Sequence, residues 1–263
     1  MREAGFILPL ITTAHCPAAA NNNYWPEMYT NMPIVDPKRP HPYGESLSPK
    51  RFGAVSSLDP EFFSRIDDFA SQLIKGELNG KYSPAYVASA LEAHAARAKE
   101  FLTDAKAKIA NARNTEYRRA SADILIQCGL GNFFAWKFRA GILFALFDHT
   151  KYRPALDEAL KAYRKARAVW ASFSETARPV YRRDVTFGPE YFQRGHWLDR
   201  LPAIDADIAD MERLLDNPAD TKSVHAPELD QAMSRHIDEV LHASDQLLPH
   251  ADRTLAGKEV ANG

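Results

Sequence analysis

The sequence predicts a mainly α protein: an up-and-down bundle of about six helices, preceded by an irregular N-terminal arm with one short β-strand. Three observations carry that expectation. From Leu58 onward, capping residues or prolines open one amphipathic stripe after another. Most connections between the stripes are short, which favours antiparallel neighbours. Before Leu58, prolines at 9, 17, 26, 33, 37, 40, 42 and 49 stand too densely for helix, because proline removes a backbone donor and drives its predecessor to extended geometry.

Taken in order, the elements begin with Phe6–Thr12. This apolar run is entered through Ala4-Gly5 and reads as a strand buried on both faces. In "SLDPEFFSRIDDFASQLIKG", Asp59 caps a helix and Pro60 is its first residue; Phe62, Ile66, Phe69 and Leu73 form its stripe and Gly76 stops it. Ser83-Pro84 opens the next, with Val87, Leu91, His94, Ala98, Phe101, Ala105 and Ile109 on one face. A third helical region spans 115–148 and is apolar on most sides; Gly129 and Gly131 mark a kink or a close-packing point in it. Pro154, Pro202 and Pro227 open three more. The chain thus divides into an irregular segment (1–57), a helical bundle (58–250) and a tail (251–263).

Composition narrows the function classes. Apolar residues make up 45% of the 263, charged residues 25%, and the net charge is −1. That is the profile of a globular protein, without the basic excess of a nucleic-acid binder. The most apolar part, Phe133–Phe147, is broken by Lys137 and Arg139, so it reads as a buried helix and not as a membrane span. The start does not make a convincing signal peptide either: Phe6–Ile11 is six residues long and carries Pro9, against the roughly 7–15 apolar residues such a signal needs. Cys16 and Cys128 lie far apart in no zinc-like spacing, and two free thiols are favoured over one long-range disulfide. His225, His236, His242 and His250 avoid i, i+4 spacing, and no phosphate loop or nucleophile elbow is present. No metal and no cofactor is expected.

Three segments stand out from the helical background. In "LPLITTAHCPAAANNNYWPEMYTNMP", Tyr24, Trp25 and Tyr29 offer flat faces for pyranose rings, and Asn21–Asn23 offer paired donors and acceptors. Glu27 could act as an acid–base carboxylate there, although glycoside hydrolysis normally takes two carboxyls. The alternative is a surface loop whose aromatics plug a junction. The second segment, "RPVYRRDVTFGPEYFQRGHWLDRLP", is a long link inside the bundle, of a kind often functional. Its arginines and His196 could grip a carboxylate, as on an acidic sugar; or they pair structurally with Asp184, Glu190 and Asp199. The third, "RRASADILIQCGLGNFFAWKFRAG", reads as a buried helix whose polar groups pair internally.

With these segments in view, the chain resembles the C-terminal region of large bacterial glycoside hydrolases of the α-glucuronidase-like kind, in which a catalytic (β/α) barrel is followed by a mostly helical domain. "REAGFILPLITTAH" looks like a helix end and late barrel strand, "NNNYWPEMYTNMP" like the loop above it, and 59–250 like the appended bundle. The resemblance implies a saccharide ligand, with Glu27 in a catalytic position. His15, Asn22, Asn23, Trp25, Tyr29, Arg194, His196, Trp197 and Arg200 would line the substrate. It also implies that most of the barrel lies in a missing N-terminal domain or a partner chain, so that this chain alone hydrolyses nothing. The alternative expectation is a self-contained helical module for binding or assembly, with the N-terminal arm docking on a partner.

Overall fold

The computed structural model describes residues 1–15, 33–35, 51–109, 114–186, 194–216 and 227–242. In chain order the elements are α1 (Arg2–Gly5), α2 (Ile7–Ala14), a 3-10 turn (Phe52–Ala54), α3 (Ile66–Lys75), α4 (Pro84–Lys108), α5 (Thr115–Thr150) and α6 (Arg153–Ala177). Then come β1 (Val185–Thr186), β2 (Arg194–Gly195), a second 3-10 turn (Trp197–Arg200), α7 (Leu201–Asp216) and α8 (Pro227–His242). The fold is a mainly helical bundle with a short N-terminal arm.

The 36-residue α5 organises the rest. It lies between α4 and α6 and also packs on α2, α3 and α8, while α7 packs on α6. A helix apolar on every side must be surrounded. By length and composition α5 could cross a membrane, but 89% of its most apolar stretch is buried inside the bundle, as a core helix requires. The Ser83 hydroxyl caps α4 by accepting from Tyr86 N (3.0 Å). Asn114 caps α5 through Glu116 N at 2.8 Å. Gly76 ends α3 in the left-handed conformation at φ 70°, which a residue without Cβ enters at little cost.

Two of the polar groups of α5, Arg139 and Asp123, pair inside the protein. Arg139 is buried and places Nη1 and Nη2 on the two oxygens of Glu92, each at 2.6 Å, the bidentate geometry that makes an ion pair strong. Asp123 accepts from Tyr181 Oη. The glycines on α5 mark close packing: a Cβ on Gly129 would stand 2.4 Å from Phe173 Cβ, and one on Gly131 would meet Ile7 at 3.1 Å. Cys128 is a buried free thiol; Cys16 lies outside the described residues.

Two elements differ from expectation. The run at Phe6–Thr12 is no strand but part of α2, whose buried face is Ile7, Ile11 and Ala14. The apolar run has helical spacing as well as continuity. Pro9 is tolerated because it falls in the first turn, where backbone N–H groups have no helical acceptor. Likewise, the helix expected from Asp59-Pro60 begins only at Ile66. The backbone before it is committed elsewhere: Tyr82 N donates to Phe62 O (2.7 Å) and Ser64 N to Tyr82 O (2.9 Å), forming a parallel bridge. Phe62, assigned to the inner stripe, is therefore 60% exposed.

Candidate functional site

The link after α6 is compact. Val180 N and Tyr181 N both donate to Ala177 O at 3.0 and 2.9 Å, turning the chain off the helix end. β1 and β2 then pair antiparallel, Val185 opposite Gly195 and Thr186 opposite Arg194. Gly195 sits at φ +109°, and a Cβ there would meet Asp199 Oδ2 at 3.0 Å, so the position suits glycine alone. That carboxylate accepts from His196 N at 2.8 Å, while Leu198 N donates to His196 Nδ1 at 3.2 Å. This reciprocal pair starts the 3-10 turn that runs into α7.

Between the helix end and that turn lies a cleft of about 390 Å³, lined by Arg178, Tyr181, Arg183, His196, Leu198 and Asp199. It falls in the ~300–1,000 Å³ range of small-molecule pockets. The Tyr181 hydroxyl is engaged with Asp123, and burial followed by that contact pushes it up to about 12. Burial lowers the His196 imidazole below its ordinary value. A smaller cleft of about 230 Å³ lies beside α3, but its polar side chains satisfy one another or nearby backbone: Ser64 with Asn79, Arg65 with Asp68, and Lys81 with Pro60 O.

The residues singled out in the sequence part company. Of the link's arginines and His196, the cleft is lined by Arg178, Arg183 and His196. Arg194 is exposed and paired to Asp184 at 2.7 Å, the structural alternative foreseen for these arginines. Arg200 is buried and donates to Arg194 O. Trp197 is 3% exposed; its carbonyl accepts from Trp170 Nε1 at 2.8 Å and its ring meets Tyr181 edge-on. His15 is a core residue, bonded through Nε2 to Phe52 O (2.9 Å) and set against the Phe52 ring at 4.1 Å. Burial drives its imidazole down to about 3, so it is neutral and donates to that carbonyl. Asn22, Asn23, Trp25, Glu27 and Tyr29 lie outside the described residues. Tyr181 and Leu198 were not singled out, because their share in the cleft is spatial: they meet Arg178, Arg183 and His196 only once α6 turns back on the hairpin.

A second polar group lies in the core. Lys137 is fully buried, its Nζ 4.6 Å from the Phe52 ring centroid and 5.6 Å from that of Tyr163. Burial pulls its ammonium down to about 7, against the opposing pull of Asp207. Asp207 is buried too and its carboxyl is pushed up; it accepts from Tyr163 Oη (2.7 Å) and Ile34 N (2.9 Å). These contacts fasten residues 34–35 to α7. Among the described residues no group of His, Cys, Asp or Glu is arranged to hold a metal ion.

No protein-family model matches the chain, and no curated protein does. A solved structure does match: a GH138 enzyme targeting pectin rhamnogalacturonan II, with TM-score 0.62 and 14% identity, over 81% of this chain and 31% of that one. The fold is glycoside-hydrolase-like. This chain spans about a third of that enzyme's length (31%). The likeness supports glycoside hydrolase as a class of fold, not α-glucuronidase in particular. At 14% identity it concerns the framework and assigns no residue a role. Within this glycoside-hydrolase-like framework, the cleft at the end of α6 is set by this chain's own side chains.

Proposed function

We propose that this chain is the helical part of a glycan-processing protein, holding saccharide-contacting loops without a complete catalytic centre of its own. The observation that carries the reading is the likeness to a pectin-targeting GH138 enzyme over 81% of this chain and only 31% of the other. In the finer form of this reading the protein handles an acidic sugar, as α-glucuronidase-like enzymes do. The segment that carries Glu27 and the link at 182–200 face the saccharide, Glu27 is one of the two carboxyls that glycoside hydrolysis uses, and the other comes from a further domain or chain. The test is calorimetric titration of the purified chain with pectic oligosaccharides, alongside a reducing-sugar assay. Saturable binding without hydrolysis is expected. No binding across the panel overturns the reading, and hydrolysis by the chain alone overturns its non-catalytic part.

A second reading, an assembly module with a docking arm, has its own support: Met1 and Phe6 on the arm are exposed (80% and 44%). Light scattering separates the two, since a docking arm gives a defined oligomer that Phe6→Asp abolishes.

A further inference from the structure

We propose that the cleft at the end of α6 is a carboxylate-binding subsite for an acidic saccharide, with His196 Nε2–H and the Arg183 guanidinium as its donors. The proposal deepens the saccharide reading above and rests on it.

His196 is 3% exposed and its Nδ1 accepts from Leu198 N. An imidazole whose Nδ1 accepts carries its proton on Nε2. That Nε2 is buried and has no hydrogen-bond partner. A buried donor left unsatisfied costs roughly 1–3 kcal/mol, so its retention in the wall of a cleft points to an acceptor brought from outside. The polar groups around the smaller cleft, by contrast, are satisfied within the chain.

Charge selects the acceptor. The other ions around the cleft are engaged: Arg178 with Glu175 (2.7 Å), Arg194 with Asp184 (2.7 Å), and Asp199 with His196 N (2.8 Å). Arg183, exposed on the rim, makes no hydrogen bond or ion pair among the described residues. One uncompensated guanidinium and one buried neutral N–H on residues lining the same cleft suit an anion with two acceptor oxygens, and a planar carboxylate matches the guanidinium fork. The rest of the wall fits a sugar ring. Tyr181, its hydroxyl already held by Asp123, and Leu198 offer an apolar surface rather than further charge. A flexible acidic peptide would have less use for that surface.

The experiment titrates the full chain with trigalacturonate, its fully methyl-esterified (neutral) counterpart, and hexaglutamate. It is repeated with Arg183→Ala and His196→Asn. Asparagine keeps an N-cap acceptor for Leu198 N while removing the Nε2–H; should it unfold the turn, the exposed Arg183→Ala still decides. The acid is expected to bind about tenfold or more tightly than the ester, and each variant to erase about a tenfold share of that preference. Equal affinity for acid and ester, or variants that leave the preference intact, overturns the subsite while leaving the saccharide reading standing. Absence of binding to either saccharide, with or without capture of hexaglutamate, overturns both.

Discussion

His15 shows how a residue that looks functional can serve the core. An imidazole between Phe52 and Phe138, bonded to a carbonyl, is held neutral by burial. Its folded value of about 3 lies below the ordinary 6.5. The unfolded chain therefore takes up a proton that the folded one refuses as pH falls from 6.5 toward 3. Stability from this group is fully present above pH 6.5 and is lost across that window, by on the order of 4 kcal/mol. Asp207 works in the opposite sense, since its raised carboxyl lets the folded state hold a proton longer. The difference between wild type and His15→Gln isolates the histidine. Glutamine keeps a donor for Phe52 O and does not titrate, so urea midpoints from pH 3 to 7 should show a shallower acid limb in the variant.

Among the elements, α5 leaves least room for change. Gly129→Ala gains roughly 1 kcal/mol of helix propensity but drives a methyl to 2.4 Å from Phe173 Cβ. Overpacking of that kind costs about 1–3 kcal/mol. The substitution should lower the melting temperature, whereas Gly5→Ala, with nothing within 4 Å, should not. Thermal unfolding followed by circular dichroism checks both. Local signals made much of this level legible. Gly76, Ser83, and the prolines at 84, 154, 202 and 227 mark helix ends where the structure has them, because caps and prolines act within one turn. What stayed hidden depends on distant partners. The delayed start of α3 follows from pairing with Tyr82. The helical state of Ile7–Ala14 follows from burial against α4 and α5, and no short apolar run announces that. The cleft was half legible: the link stood out by length and charge, but Arg194, Trp197 and Arg200 turned out to hold the hairpin together, while Arg183 and Tyr181 reach the cleft through the turn after α6.

For the whole molecule, the arm is part of the bundle's core. Ile7 and Ile11 are fully buried in the same apolar cluster as α4, α5 and α6. Deleting residues 1–15 should therefore destabilise the remainder by about 3–6 kcal/mol, at ~1.5–3 kcal/mol for each buried isoleucine. Comparing urea midpoints of the full chain and of residues 16–263 tests this; equal midpoints would show that the helices close without the arm.

The carboxylate of Asp207 adds a matter of timing. Its bond to Ile34 N joins positions 173 residues apart. At ~5–20 residues per second, a ribosome making the chain needs roughly 9–35 s to deliver the acceptor after the donor. Ile7 and Ile11 can find α4 and α5 well before that. Ile7 and Ile11 are thus set in place first, by apolar contact with helices already made, and Ile34 only once α7 has been made, by the Asp207 carboxyl.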